Sequence, residues 1–190
     1  MLNDSDKGVD AVLKGGAAVP VIGAMSALAI YGVRRYLSSA KGAEAKNTVG
    51  AIARGAVGAY EREQVSASGA LKHALCQSAP PVPATVPSGT KYQADLTPGK
   101  DYDTGDDTAG WKCLKFMMTT PSYFQYEYRA GGPYKCVARG GPDPGPNGFE
   151  VSAEGDLDGD GKTSLFCQVG RVDGDKVTVG TQLFIADEGE

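Results

Sequence analysis

The sequence predicts an α+β protein: a long N-terminal α-helix, its first half membrane-spanning, packed on a small antiparallel β-sheet and disulfide-bonded. Three observations predict it. An uncharged, apolar run over residues 15–33 leads without a break into Arg34-Arg35-Tyr36-Leu37 and a helical pattern reaching residue 63. Beyond that, short alternating segments are separated by Gly- and Pro-rich turns. Four cysteines, Cys76, Cys113, Cys136 and Cys167, all fall in this later part. The chain divides accordingly into a leader or cytoplasmic segment (1–14), a transmembrane plus amphipathic long helix (15–63) and an extracytoplasmic β-rich domain (64–190).

The run 15–33 is close to the roughly 20 residues that cross a bilayer. It is rich in Ala and Gly, carries Pro20 and Ser26, and is bracketed by Lys14 and Arg34. A cleaved secretory signal and a buried soluble helix compete with the anchor. A signal needs a basic start and a small-residue exit. Here Met1-Leu2-Asn3-Asp4-Ser5-Asp6-Lys7 is more acidic than basic, and the run exits into Arg34-Arg35. Orientation sets two rules against each other. Arg34, Arg35, Lys41 and Lys46 after the span would hold the C-terminal side in the cytoplasm. An even number of cysteines without CxxC spacing points instead to two disulfides in an oxidising compartment, with buried cytosolic thiols as the competing reading. The basic residues alternate with Glu44 and Glu61, as on a packing helix, so the cysteine argument is preferred.

Over 34–63, Tyr36, Leu37, Ala40, Ala43, Val49, Ile52, Ala53, Ala56, Val57, Ala59 and Tyr60 recur mostly at gaps of three and four, giving one apolar stripe. Gly42, Gly50, Gly55 and Gly58 each cost about 1 kcal/mol of helix propensity relative to Ala. Their number implies that another backbone comes close.

Beyond residue 63, Ser and Gly end the helix, and 70–76 reads as a short helical turn. His73 reads as a solvated or capping residue. Pro80-Pro81-Val82-Pro83 and Val86-Pro87-Ser88-Gly89 read as an extended surface loop. About six strands follow, over 112–118, 122–129, 134–138, 149–154, 163–169 and 176–185. Phe124, Tyr126 and Tyr128 share one face of the second, as core or cross-strand pairs rather than a stacking platform. Asp173-Gly174 marks a hairpin turn. An antiparallel meander packed on the helix accommodates all of this. Cys76 and Cys113 flank the Pro-rich loop, and Cys136 and Cys167 lie on opposite sides of a hairpin. The pairs Cys76–Cys113 and Cys136–Cys167 are favoured among the three pairings that four cysteines allow.

A net charge of −4 and a pI near 5.1 argue against nucleic acid as a partner, because a phosphate binder needs a clustered basic surface. One histidine and no closely spaced cysteines argue against a structural zinc site. No nucleophile is paired with a base and no phosphate-cradling loop occurs, so the sequence does not read as an enzyme.

One local motif carries chemistry. Asp156-Leu157-Asp158-Gly159-Asp160-Gly161-Lys162-Thr163-Ser164 spaces three carboxylates around a tight loop. Asp156, Asp158 and Asp160 offer carboxylate oxygens, Lys162 a carbonyl, and Ser164 an oxygen or a held water, a hard donor set that suits Ca²⁺ in a structural role. Cys167 stands where an EF-hand has its bidentate Glu, and no helix pattern flanks the loop. An acidic β-turn that binds nothing tightly is the alternative.

The helix also carries a resemblance. Ala29-Ile30-Tyr31-Gly32-Val33-Arg34-Arg35-Tyr36-Leu37-Ser38-Ser39-Ala40 followed by Ala43-Glu44-Ala45-Lys46 resembles the N-terminal helix of type IV pilins and pseudopilins. There an apolar run gives way to an aromatic and charged stretch, a small polar pair and an AEAK repeat. The match covers 15–63, under a third of the chain. It implies a membrane-anchored structural subunit of a pilus or a type II secretion-like pseudopilus. Such a subunit resides in the bacterial inner membrane, its C-terminal domain outside the cytoplasm, or in a cell-surface filament. It implies partners in the membrane and in self or other pilin-like subunits, and a processing junction at Gly8-Val9. The alternative is a membrane-tethered extracytoplasmic binding module that does not polymerise.

Overall fold

The computed structural model describes residues 18–62, 64–65, 69 and 71–188. The segment 1–14 and the Gly8-Val9 junction lie outside these residues. Helix α1 runs Ala18–Glu61, 44 residues. It is shared between two compact units, Met1–Ala40 and Lys41–Glu190. In the first unit, Leu28, Tyr31, Val33, Tyr36 and Leu37 are all exposed.

The expected membrane-spanning first half is corrected in one respect. No helix among the described residues is long and apolar enough to cross a membrane. The physical reason lies in the sequence. The apolar run begins at residue 15, outside the described residues, so a bilayer-length stretch starting at Ala18 takes in Arg34 and Arg35.

In the second unit α1 buries Ala45, Val49, Ile52, Ala56 and Ala59. Their gaps of four and three form one stripe. Burying Val49 and Ile52 contributes about 1.5–3 kcal/mol each. Gly55 answers the question raised by the glycines. A Cβ there would meet the Leu114 carbonyl oxygen at 2.6 Å, so a second backbone does come within van der Waals reach.

The sheet contains β3 (Ala79–Val82), β4 (Gln125–Ala130), β5 (Gly148–Gly155), β6 (Ser164–Asp173) and β7 (Lys176–Val179) in that spatial order. β8 (Phe184–Ala186) pairs with the other half of β6. Every pairing is antiparallel, so β4 to β7 form the expected meander. Asp173 pairs with Lys176 across a tight turn, and Gly174 there has φ 61°, the positive value that a two-residue hairpin turn demands. A separate small ladder joins β1 (Gln64–Val65) to β2 (Leu71–Lys72).

Side chains alternate across the sheet. Phe124, Tyr126, Tyr128, Phe149, Val151, Ala153 and Phe166 form one core with the buried stripe of α1. Phe124 meets Phe166 edge-on at 5.6 Å, one of the preferred aromatic geometries.

Several expected elements differ. The expected strand over 112–118 is helix α2 (Gly110–Leu114), stopped by Lys115 at φ 51°. The expected strand over 134–138 is helix α3 (Lys135–Ala138). The expected strand over 176–185 is split into β7 and β8. The helical turn over 70–76 contains β2 instead. The first Pro cluster is no free loop, because Ala79–Val82 forms the edge strand β3, a place in a sheet where proline is tolerated. His73 is exposed, with Nδ1 2.9 Å from the Tyr60 carbonyl oxygen. It therefore caps the last turn of α1.

Candidate functional site

The aspartate loop connects β5 to β6. Gly155 and Ser164 are the last pair of that ladder, so the loop is the tip of a hairpin. Asp156, Asp158 and Asp160 each bring an oxygen to a common place, all within 4.8 Å of one another. The sheet end positions Asp156, which is buried. Its backbone N–H donates to the Pro87 carbonyl (3.2 Å) and its carbonyl accepts from the Gly89 N–H (2.8 Å). Its carboxylate accepts from Ser88 Oγ (2.8 Å) and from the N–H groups of Gly159 (2.7 Å) and Gly161 (3.1 Å). The Ser88 bond, followed by the two backbone bonds, holds the Asp156 carboxyl below the usual aspartate range. Gly159 and Gly161, at φ 84° and 90°, let the backbone fold round that carboxylate.

Asp160 is also held low, by the backbone N–H and then the ammonium of Lys162. Lys162 Nζ lies 3.1 Å from Asp160 Oδ2. Ser164 stands apart from the carboxylates: it is buried as the first residue of β6, and its Oγ donates to the Gly155 carbonyl at 3.0 Å. Chemically the loop offers three carboxylates to a hard cation, with one ammonium as an internal competitor.

A second cluster escaped sequence reasoning. On the sheet face opposite the aromatic core, Gln125 and Glu127 of β4 neighbour Glu150 and Glu154 of β5. Segment 131–147 covers them. Lys135 Nζ lies 3.0 Å from each of Gln125 Oε1, Glu127 Oε2 and Glu154 Oε2. Arg129 Nε pairs with Glu127 at 2.7 Å, and Arg139 approaches Glu154 at 3.6 Å and Asp187 at 3.1 Å. The Glu150 carboxylate, fully buried, accepts the N–H groups of Lys135 (2.9 Å) and Cys136 (2.8 Å). Burial raises the Glu150 carboxyl above the ordinary glutamate value despite those bonds. The disulfide Cys136–Cys167 adjoins this layer, with its sulfurs and a Glu150 oxygen within 4.8 Å of one another. The disulfide Cys76–Cys113 belongs to the aromatic core on the other face. Alternating charges at Glu127/Arg129 and Glu150/Glu154 were the available signal, but residues facing a covered surface look the same in sequence as residues facing water.

The helix residues that carry the resemblance behave differently along its length. In 43–46, Ala45 is buried in the core, and Lys46 Nζ pairs with Glu188 at 2.5 Å. Lys41 donates to the Leu157 carbonyl at 3.1 Å and sits 4.1 Å from the centre of the Tyr123 ring, joining α1 to the base of the aspartate loop. Comparison with family models, curated proteins and solved structures finds no match.

Proposed function

We propose that this chain is a type IV pilin-like subunit, a membrane-anchored structural component of a pilus or of a type II secretion-like pseudopilus. One observation carries the reading. A single 44-residue helix lends its second half to the core of a disulfide-bonded sheet domain, while its first half exposes Leu28, Tyr31, Val33, Tyr36 and Leu37. Exposed apolar residues at that density favour lipid or neighbouring helices over water. The partners in this reading are the inner membrane and other copies or related subunits, with the sheet domain outside the cytoplasm. The role is structural, with no catalytic step. The aspartate loop is read as a weak structural Ca²⁺ site that relieves repulsion between Asp156, Asp158 and Asp160.

A second reading, a membrane-tethered binding module that does not polymerise, is favoured by one feature. Counting from Val9, the fifth residue is Leu13 rather than the acidic residue that pilins place there. Intact mass and N-terminal sequencing of protein from native membranes separate the two. A methylated start at Val9 supports the filament subunit, an intact Met1 supports the tethered module, and a start beyond Val33 refutes both. For calcium, thermal unfolding is compared in chelator and in 10 mM Ca²⁺. With a Kd of about 1 mM, typical of weak extracellular sites, the ion adds about 1.4 kcal/mol. No shift in the wild type, or an equal shift in Asp158→Asn, refutes the site.

A further inference from the structure

An open groove of about 660 Å³ beside Leu75 and Val172 contains no charged side chain. A smaller cavity of about 380 Å³ has a richer lining that includes Thr85, Thr90, Lys91, Tyr92 and Asp101. Its size falls within the ~300–1,000 Å³ of small-ligand sites.

The walls of this cavity are fixed before any ligand arrives. The Pro-rich loop forms one wall, and the sheet pins it at both ends. Gln125 Nε2 donates to the Pro83 carbonyl at 2.9 Å, and Asp156 bonds Pro87 and Gly89 through its backbone. Opposite, Tyr92 exchanges two backbone bonds with Ser122, at 2.8 and 2.9 Å. Its phenol donates to Asp101 Oδ2 at 2.6 Å, and the Asp95 N–H donates to the same oxygen at 2.7 Å. Asp101 is held at φ 41°, in the left-handed region that aspartate and asparagine enter more readily than most side chains. The Asp101 bond, then burial, pushes the Tyr92 phenol up to about 12, so it stays a neutral donor.

We propose that this cavity binds a neutral sugar residue, with Asp101 accepting sugar hydroxyls, Thr85 and Thr90 exchanging hydrogen bonds, and the Tyr92 ring lying against the sugar's C–H face. The donor set fits that chemistry. A carboxylate is the strongest acceptor available for a hydroxyl, and threonine hydroxyls both donate and accept. Asp101 disfavours an anion, and a neutral polyol matches a lining of one carboxylate and two hydroxyls. Preorganised walls lower the ordering cost of binding. This site is independent of the filament reading, since it uses nothing from the exposed half of α1.

The test is saturation-transfer NMR on the full chain in a detergent without a sugar head group. The probes are the methyl glycosides of glucose, galactose and N-acetylglucosamine, with methyl glucuronide as the charged comparison. The expected result is transfer to at least one neutral glycoside at millimolar concentration and weaker transfer to the glucuronide. Thr85→Arg, which fills the cavity, is expected to abolish the signal. Asp101→Asn, which tolerates positive φ, is expected to weaken binding about tenfold by removing the charge-assisted bond. The proposal is overturned if no neutral glycoside shows transfer, if the glucuronide binds more tightly, or if both variants bind as the wild type does. None of these outcomes alters the N-terminal sequencing result, so the two proposals fail separately.

Discussion

Replacing Lys135 with methionine removes the ammonium that lies 3.0 Å from Glu127, Glu154 and Gln125. The side chains of Glu127 and Glu154 are 8% and 19% exposed and that of Lys135 is 23% exposed, so water replaces little of what is lost. Removing one member of a buried pair costs about 3–5 kcal/mol. Arg129 and Arg139 remain beside the two carboxylates, which lowers the expected loss to about 2–3 kcal/mol. At about 2–4 °C per kcal/mol for a domain of this size, the melting temperature falls by roughly 4–12 °C. The loss also depends on pH. Desolvation pushes the Glu154 carboxyl up, but the bonds from Lys135 and Thr163 and the charge of Arg139 outweigh it and hold it below its ordinary 4.5. A depressed carboxylate contributes stability above its unfolded value and loses it as pH falls through the folded value. Lys135→Met therefore costs most at neutral pH, and the gap to wild type narrows below about pH 4.5. Urea unfolding followed by circular dichroism from pH 3 to 7 measures both. A loss under about 1 kcal/mol at pH 7, the worth of an exposed pair, or a gap independent of pH, refutes the reasoning.

Gly55→Ala sets a Cβ 2.6 Å from the Leu114 carbonyl oxygen, whereas a Cβ at Gly58 meets nothing within 4 Å. In urea unfolding, Gly55→Ala should destabilise by about 1–2 kcal/mol, strain outweighing propensity, and Gly58→Ala should stabilise by up to about 1 kcal/mol; the same sign for both would contradict the packing argument. Ser88→Ala removes the main cause of the low Asp156 carboxyl. Its pKa should move back toward the ordinary 3.8, so the stability it supplies above that value shrinks; carboxyl-carbon NMR reads the shift, and an unmoved resonance counts against it. Replacing Cys76 and Cys113 together with serine releases a closure of 37 residues, and replacing Cys136 and Cys167 releases one of 31. Each pair should cost about 4 kcal/mol by the chain-entropy argument; a double variant that melts with the wild type would show that its closure adds nothing.

The period of each long element was legible because burial imposes it. The α1 stripe from Val49 to Ala59 and the shared face of Phe124, Tyr126 and Tyr128 both read correctly from spacing, but at the start of the stripe Ala43, expected inside, is exposed and Ala45 is buried in its place. The hairpin at Asp173-Gly174 was legible because its turn demands a particular backbone. The helix α3 was not. Its first N–H groups are accepted by Glu150, 14 and 15 residues away, and no local pattern announces a cap supplied by another strand. The helix α2 was missed for a related reason. Its five residues carry less than two turns of periodicity, and Trp111, Cys113 and Leu114 suit a strand equally well. In the aspartate loop the grouping of Asp156, Asp158 and Asp160 followed from their spacing. The turning of Ser164 into the ladder did not, because it depends on where β6 begins.

The two disulfides enclose successive, non-overlapping stretches of chain, one on each face of the sheet. Under tension applied between the ends of the protein, the force bypasses both enclosed stretches through sulfur. At about 3.3–3.6 Å per extended residue, the first bond withholds roughly 120–130 Å of contour and the second roughly 100–110 Å. Even a fully unravelled domain would pay out only the chain outside the two closures, and the rest would reach full extension only after reduction.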